Sequence, residues 1–252
     1  MARRAAVAIS LVCATAACGV ALAGSQAGGS AARSVSPLTV VAVPTPHFPV
    51  PLYDTSGSIP QVTGAGIDLR RVNAAVREAV LRDQRAYAPS ARASAKVTGR
   101  TCRGTYSVLT NRGLLSASSV VVSALLPAQE LYPCGNDGNG WVSVTVRVPS
   151  GKPVALGQLF QDPFGGTYAL GVGFFRAIAP DWRLTCVVKN LPRYQPTLRN
   201  YRYFALTPRG LALGFWQEAA CNRIEGIVPY RTLRPYLSSL GKYLVAGVRA
   251  PH

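Results

Sequence analysis

Histidine is almost missing from this sequence, which has only His47 and His252 among its 252 residues. His47 lies among prolines near the start and His252 is the last residue. Neither is suited to be the positioned base that a Ser or Cys nucleophile needs. The sequence also has no Cys-x-x-Cys pair, a common spacing of zinc ligands. We therefore expect no metal, no cofactor and no nucleophilic catalysis.

Acidic residues are scarce as well, since 10 Asp and Glu stand against 27 Lys and Arg, and the formal net charge is +17. The carboxylates are scattered, without the close pair that cleaves a glycosidic bond. We therefore expect a protein without enzymatic activity. Its charge should attract anionic partners such as phosphate-bearing polymers or acidic head groups; no nucleic acid is expected among them. Arginine-rich usage can also arise from a GC-rich genome, so part of the excess need carry no function.

Long apolar runs are missing after the N-terminus, where no segment reaches the roughly 18 residues of a membrane span. Residues 5–23 are apolar and uncharged, follow two arginines, and end in a small-x-small cleavage site, Ala-Leu-Ala. This pattern predicts a signal peptide over residues 1–23 and a secreted or extracytoplasmic protein. The alternatives are a retained N-terminal membrane anchor and a lipid anchor at Cys18.

Cysteine is infrequent, and four remain after the predicted signal peptide. An even number of cysteines in an exported protein predicts disulfides. We expect the pairs Cys102–Cys134 and Cys186–Cys221, because each pair brackets neighbouring predicted strands. Pairing of Cys134 with Cys221 is the main competitor.

The rest of the chain predicts a linker followed by one domain. Residues 24–46 are rich in Gly, Ser, Pro and Ala, which indicates a flexible linker and an edge segment with one short strand near residues 38–43. Residues 47–246 form the predicted domain. Its clearest element is a helix over residues 67–87, in which apolar residues recur at helical spacing and Pro89 follows the end.

Most of the remaining segments read as strands. The stretch WVSVTVRV at residues 141–148 alternates apolar and polar side chains, as a half-buried strand does. Hairpins are predicted around the turns at residues 111–113 and 207–210, and helices over residues 167–178 and 232–244. This order predicts an α+β fold, with a mixed or antiparallel sheet, one long helix packed on it and a short C-terminal helix.

Four ordered motifs resemble those of the RsiV-like domain, an extracytoplasmic bacterial module that also resembles mycobacterial secreted antigens. Residues 150–160, SGKPVALGQLF, are similar to its T-G-K-x-[LIV]-x-L-x-D-L-F turn. Residues 204–215, FALTPRGLALGF, resemble its hairpin, and residues 228–233, VPYRTL, resemble the strand that leads into its last helix. Val72-Asn73 resembles the start of its long helix. The resemblance covers roughly residues 47–240 and implies an α+β fold outside the cytoplasm.

Two loops depart from the family pattern. The segment PCGNDGNG at residues 133–140 has no histidine where family members usually carry one, and the loop between residues 215 and 228 is shortened around Cys221. Ligand contacts tend to lie in such loops. The lysozyme binding of the anti-sigma member of the family is therefore not expected here.

Cations alternate with aromatic residues over residues 193–203, and this is the predicted binding surface. Such side chains bind sugar-phosphate polymers or stack on glycans. The alternative is a strand edge on which solvated arginines lie beside half-buried tyrosines. The residues concerned are Arg193, Tyr194, Arg199, Tyr201, Arg202 and Tyr203.

These observations favour a secreted, non-enzymatic binding protein of the cell envelope. The expected ligand is an anionic wall polymer or an extracellular protein. Two other hypotheses remain open at this point: an accessory domain or hydrolase of envelope polysaccharide metabolism, and an inhibitor of an extracellular enzyme.

Overall fold

A large mixed sheet forms the centre of the protein in the computed structural model. The structure describes residues 38–45, 53–98, 104–132, 137–179, 187, 191–215, 217–218 and 224–249. Five of its strands lie side by side in the order β1, β2, β3, β5 and β6. The two-residue strand β9 pairs with β6 at the far edge, and β4 pairs with β5. They span Thr39–Pro44 (β1), Tyr53–Thr63 (β2), Gly104–Val108 (β3), Leu114–Ala117 (β4), Val121–Leu131 (β5), Asp137–Arg147 (β6) and Gln217–Glu218 (β9).

The long helix α1, Arg70–Thr98, connects the two parallel strands of this sheet. Strands β2 and β3 pair in parallel, and the other described pairs are antiparallel. A parallel pair needs a crossover that returns the chain to the same end of the sheet, and α1 is that crossover. Val72, Val76 and Val80 bury the apolar side of the helix against one face of the sheet.

A three-stranded antiparallel sheet and several short helices cover the other face. Its strands lie in the order β10, β8 and β7. They span Phe204–Thr207 (β7), Gly210–Phe215 (β8) and Ile224–Val228 (β10). The helices are Pro163–Ile178 (α2), Leu191–Tyr194 (α3), Tyr230–Leu233 (α4) and Ser239–Arg249 (α5). The predicted α+β fold with a mixed sheet, a long helix and a short C-terminal helix is confirmed.

Buried hydroxyl groups link the two sheets. The Oγ of Ser123 in β5 accepts a hydrogen bond from the backbone N–H of Leu206 at 2.8 Å and lies 2.7 Å from the Thr145 hydroxyl. Ser143 in β6 accepts from the N–H of Phe204 at 3.1 Å and donates to its carbonyl at 2.6 Å. The polar groups on the outer edge of β7 therefore find partners inside the core, which burial requires.

The motifs behind the family resemblance hold the scaffold together. The Asn73 side chain accepts from the Val62 N–H at 2.8 Å and donates to its carbonyl at 2.9 Å, so α1 is fixed to β2. In the β7–β8 turn, the Thr207 hydroxyl donates to the Gly210 carbonyl at 2.8 Å. The Tyr230 hydroxyl donates to the Thr207 carbonyl at 2.9 Å.

Three local predictions were wrong, two of them because contacts between distant segments decide the structure. Helix α1 continues through Pro89, since Ala88 and Ala91 still pack in the core. The predicted hairpin around residues 111–113 does not form: β3 and β4 both pair with β5 instead. The predicted closing helix is two helices, because Pro235 cannot donate a helical hydrogen bond. Strand β1 lies within residues 24–46, where an edge segment was expected.

Candidate binding surface

The segment at residues 191–203 separates its tyrosines from its arginines. Tyr194 and Tyr201 are fully buried, and the Tyr201 hydroxyl donates to the Tyr194 carbonyl at 2.9 Å. Both rings contact Phe215, with ring centroids 4.7 Å and 5.4 Å away. These two tyrosines therefore anchor the segment in the core and offer no surface for a ligand, which corrects their predicted place on the binding surface. The segment is a short helix and turn rather than a strand edge.

Arg199 and Arg202 are exposed on the outside of the same segment. The Asn200 side-chain amide donates to the carbonyls of Pro192 at 3.1 Å and Gln195 at 3.0 Å, which fixes the turn between them. The Arg202 guanidinium lies 4.7 Å from the Tyr203 ring centroid and donates to its hydroxyl at 3.0 Å. Tyr203 is half-buried, and burial raises the pKa of its hydroxyl. A pre-oriented arginine on an aromatic ring suits an anionic group.

Three of the predicted features lie outside the described residues. The side chain of Arg193 lies outside the described residues. So do the four cysteines of the predicted disulfides, Cys102, Cys134, Cys186 and Cys221, and the predicted signal peptide.

Arg202 reaches a groove that sequence reasoning did not find. The groove lies between α1 and β6, has a volume of about 500 Å³, and takes Arg82 from α1 and Arg202 from the segment before β7. Its apolar lining includes Ala75, Ala79, Val144, Val146 and Leu198. We call it the α1–β6 groove. Cations from two separate elements therefore line one largely apolar groove, which the carboxylate of Glu78 also lines.

The outer face of α1 extends the positive charge away from the groove. Its exposed arginines, the arginine ridge, are Arg70, Arg71, Arg77, Arg82, Arg85 and Arg92. At 3.6 residues per turn they fall within an arc of about 140°, and at 1.5 Å per residue they extend over about 33 Å. Among the described residues, two ion pairs involve this face, Arg70–Asp68 and Arg85–Glu78. The helical spacing of these arginines in the sequence already places most of them on the face opposite the apolar one.

Two carboxylates beneath this surface are held by tyrosines. The Tyr106 hydroxyl donates to Asp83 Oδ2 at 2.6 Å, and the Tyr132 hydroxyl donates to Glu130 Oε2 at 2.6 Å. Burial raises the pKa of Asp83 to about 6, although the hydrogen bond from Tyr106 opposes the rise. The negative charge of Glu130 adds to it, and the positive charges of Arg202 and Arg82 oppose it.

Replacing the half-buried Asp83 carboxylate by its neutral amide should stabilise the protein above pH 6. The folded-state pKa of Asp83, about 6, lies above the ordinary 3.8. The folded state therefore binds more protons between these values, and stability falls as pH rises through that range. We expect Asp83→Asn to raise the free energy of unfolding by about 2 kcal/mol at pH 8 and hardly at pH 4. Urea denaturation at both pH values measures the difference.

Asp68→Asn is the control of opposite sign. Hydrogen bonds from Arg70 hold the pKa of Asp68 at about 2, so its charged form favours folding. Its stabilising contribution is present above pH 4 and lost as pH falls through 2, so Asp68→Asn should lose stability at pH 8. If Asp83→Asn loses stability at pH 8 as Asp68→Asn does, the assignment of a raised pKa to Asp83 is wrong.

A second basic cleft, about 520 Å³ in volume, lies at the C-terminal end of the domain, where no binding residue was predicted. Arg231 and Arg234 lie three residues apart around α4, and Lys242 and Arg249 lie seven apart on α5. A spacing of three or seven residues puts side chains on one side of a helix. That spacing is the sequence signal by which the cleft could have been found.

No group of three or more His, Cys, Asp or Glu side chains in the described part of the chain lies in a metal-binding arrangement. Within the same residues, no helix combines the length and the apolar character needed to cross a bilayer.

Comparison with known proteins yields a fold and no more. No protein-family model matches the chain, and no curated protein matches it. The chain is similar in fold to a DUF3298 protein. This is a DUF3298 family member from Bacteroides fragilis NCTC 9343, with a TM-score of 0.52 and 10% identity over 86% of this chain and 98% of that one.

A DUF3298 family protein from Pseudomonas aeruginosa PAO1 has a TM-score of 0.49 and 12% identity, over 81% of this chain and 95% of that one. At such identities a likeness to solved structures shows the fold alone. Membership of the RsiV-like family stays a prediction from the motifs.

Proposed function

We propose that this protein is an exported, non-enzymatic module that binds an anionic polymer of the cell envelope. The observation that carries the proposal is that Arg82 and Arg202 both line the α1–β6 groove, at the side of the arginine ridge. Guanidinium groups bind phosphate and carboxylate through paired, charge-assisted hydrogen bonds. The apolar floor of the groove would take the uncharged part of a repeating unit.

The length of the ridge favours a polymer over a small anion. Six arginines extend over about 33 Å of α1, far more than one compact ligand covers. Separated charges of one sign also attract a long polyanion over distance and raise its rate of encounter. The proposal therefore predicts affinity that increases with the length of the polymer.

The polar groups near the groove support binding rather than catalysis. Asp83 and Glu130 are each engaged by a tyrosine hydroxyl, and Glu78 is paired with Arg85. A general acid or base must reach the proton that it transfers. These carboxylates are instead engaged within the fold.

The groove is tested with the double variant Arg82→Gln/Arg202→Gln and a fluorescently labelled poly(glycerol phosphate). In anisotropy titrations at low salt, we expect this variant to bind about tenfold more weakly than the native chain, a difference of about 1.4 kcal/mol. The matched control, Arg112→Gln/Arg209→Gln, removes two exposed arginines elsewhere and gives the same net charge.

The control should lose less than about twofold, because it leaves the groove intact and lowers only the overall field. Equal losses in the two variants would mean that general charge, and not the groove, binds the polymer. Export is tested separately by sequencing the N-terminus of the protein recovered outside the cytoplasm, which we expect to begin near residue 24.

A further inference from the structure

The C-terminal basic cleft is formed by the chain from Tyr230 to Arg249. Its floor consists of apolar groups, with Leu237 and Val245 only 4% and 7% exposed. The Tyr230 hydroxyl is turned inward, where it donates to the Thr207 carbonyl at 2.9 Å. The floor therefore offers little polarity of its own. The polar character of the cleft comes from its rim.

The rim is positive throughout. Among the residues that the structure describes, the cleft is lined by four cationic side chains and by no carboxylate: Arg231, Arg234, Lys242 and Arg249. The ion pairs of the described residues lie elsewhere, on α1. Like charges gathered at one site repel one another and weaken the folded state. A concentration of four without a carboxylate is therefore expected where an anion offsets the repulsion.

Local helix electrostatics explain only part of this arrangement. A cation in the last turn of a helix interacts favourably with the helix dipole, and Arg249 has that position in α5. Lys242 lies in the first turn of α5, where the dipole disfavours a cation. Its presence there is instead consistent with a ligand shared between α5 and the chain around α4.

We propose that this cleft binds a compact phosphate-bearing group with two linked phosphates, of the diphosphate class. Three planar guanidinium groups can each bind a phosphate through paired hydrogen bonds, and Lys242 adds a point charge. A diphosphate brings enough negative charge to oppose four cations, whereas a single carboxylate does not. The site is separate from the proposed polymer groove, because α1 and α5 pack in cores on opposite faces of the large sheet.

The cleft is tested by calorimetric titration of the native chain with inorganic pyrophosphate and with orthophosphate at low ionic strength. We expect pyrophosphate to bind about tenfold more tightly, because it engages more of the rim. The variant Arg234→Gln/Lys242→Gln should bind pyrophosphate at least about tenfold more weakly than the native chain. Both side chains are exposed, so a thermal melt should show that the variant remains folded.

The groove variant Arg82→Gln/Arg202→Gln is the matched control and should keep its affinity for pyrophosphate. This control separates the two proposals. The groove variant can lose polymer binding while the cleft still binds pyrophosphate, and the cleft variant can lose pyrophosphate binding while the groove still binds the polymer. Absence of pyrophosphate binding by the native chain, or equal losses in the two variants, would overturn the cleft proposal.

Vesicles identify the source of the phosphate group. Sedimentation of the native chain with phosphatidylcholine vesicles that contain a prenyl diphosphate lipid, lost in the cleft variant, would assign the site to a lipid head group. Binding of free pyrophosphate without such sedimentation would assign it to a soluble ligand. If the native chain neither binds free pyrophosphate nor sediments with these vesicles, the proposal is contradicted.

Discussion

Gly57→Ala is expected to lower the free energy of unfolding by about 4 kcal/mol, the range of severe backbone substitutions. Gly57 has a φ of +97°, which L side chains rarely adopt, and an added Cβ would lie 2.1 Å from the Val108 carbonyl oxygen. Gly57 pairs with Val108 in the parallel register of β2 and β3. The substitution would therefore separate the two strands that α1 connects. Urea denaturation followed by circular dichroism measures the loss.

Gly66→Ala is the matched control for the backbone strain alone. Gly66 also has a positive φ, +82°, but an added Cβ there meets nothing within 4 Å. We expect it to cost about 1–2 kcal/mol, the strain of the left-handed conformation without a steric clash. Equal costs at both positions would show that the close approach of β2 and β3 is not what requires glycine.

Ser123→Ala is expected to cost about 3 kcal/mol, because it breaks the hydroxyl bridge between the two sheets. Ser123 is fully buried, and its oxygen accepts from the Leu206 N–H and contacts the Thr145 hydroxyl. Alanine would leave both of these buried groups without that partner. An unsatisfied buried group costs its full desolvation energy, more than the hydrogen bond itself contributes.

Ser116→Ala provides the contrast on the neighbouring strand β4. Ser116 is also buried, but its hydroxyl has no hydrogen-bond partner among the described residues. Removing a buried hydroxyl that lacks a partner should leave stability unchanged or raise it slightly. If both serines cost the same amount, side-chain volume and not hydrogen bonding holds β7 against the large sheet.

Periodicity predicted the elements that local chemistry determines. The alternation of WVSVTVRV corresponds to β6, and the apolar spacing before Pro89 corresponds to the first part of α1. Strand pairing was not predictable in this way, because the register of β3 with β5 depends on contacts between distant segments. Such contacts also carry α1 past Pro89.

The site was harder to predict than the fold. The alternation of arginine and tyrosine predicted one binding surface. In the structure, Tyr194 and Tyr201 pack in the core against Phe215, while Arg202 is exposed on the outside. Which side of a turn faces the core depends on neighbours that the local pattern does not name. The family-like motifs proved equally structural, since Asn73 and Thr207 bind backbone groups.

The two basic sites have the same sequence signature, which is cations at helical spacing. This signature does not indicate a function until the position of the helix in the fold is known. On α1 the spacing gives a ridge that runs beside a groove. Around α4 and α5 the same spacing places the cations of two helical segments along one cleft. The general charge excess could be read from composition, but its division between two faces could not.

The central claim is that the basic surface along α1 binds an anionic polymer by charge. Its most direct test is the affinity of the native chain for labelled poly(glycerol phosphate) over a series of salt concentrations. Neutralising about four phosphates releases their counterions, so the logarithm of affinity should fall against the logarithm of salt with a slope of about −3. Absence of binding at low salt, or an affinity that salt does not change, would contradict the claim.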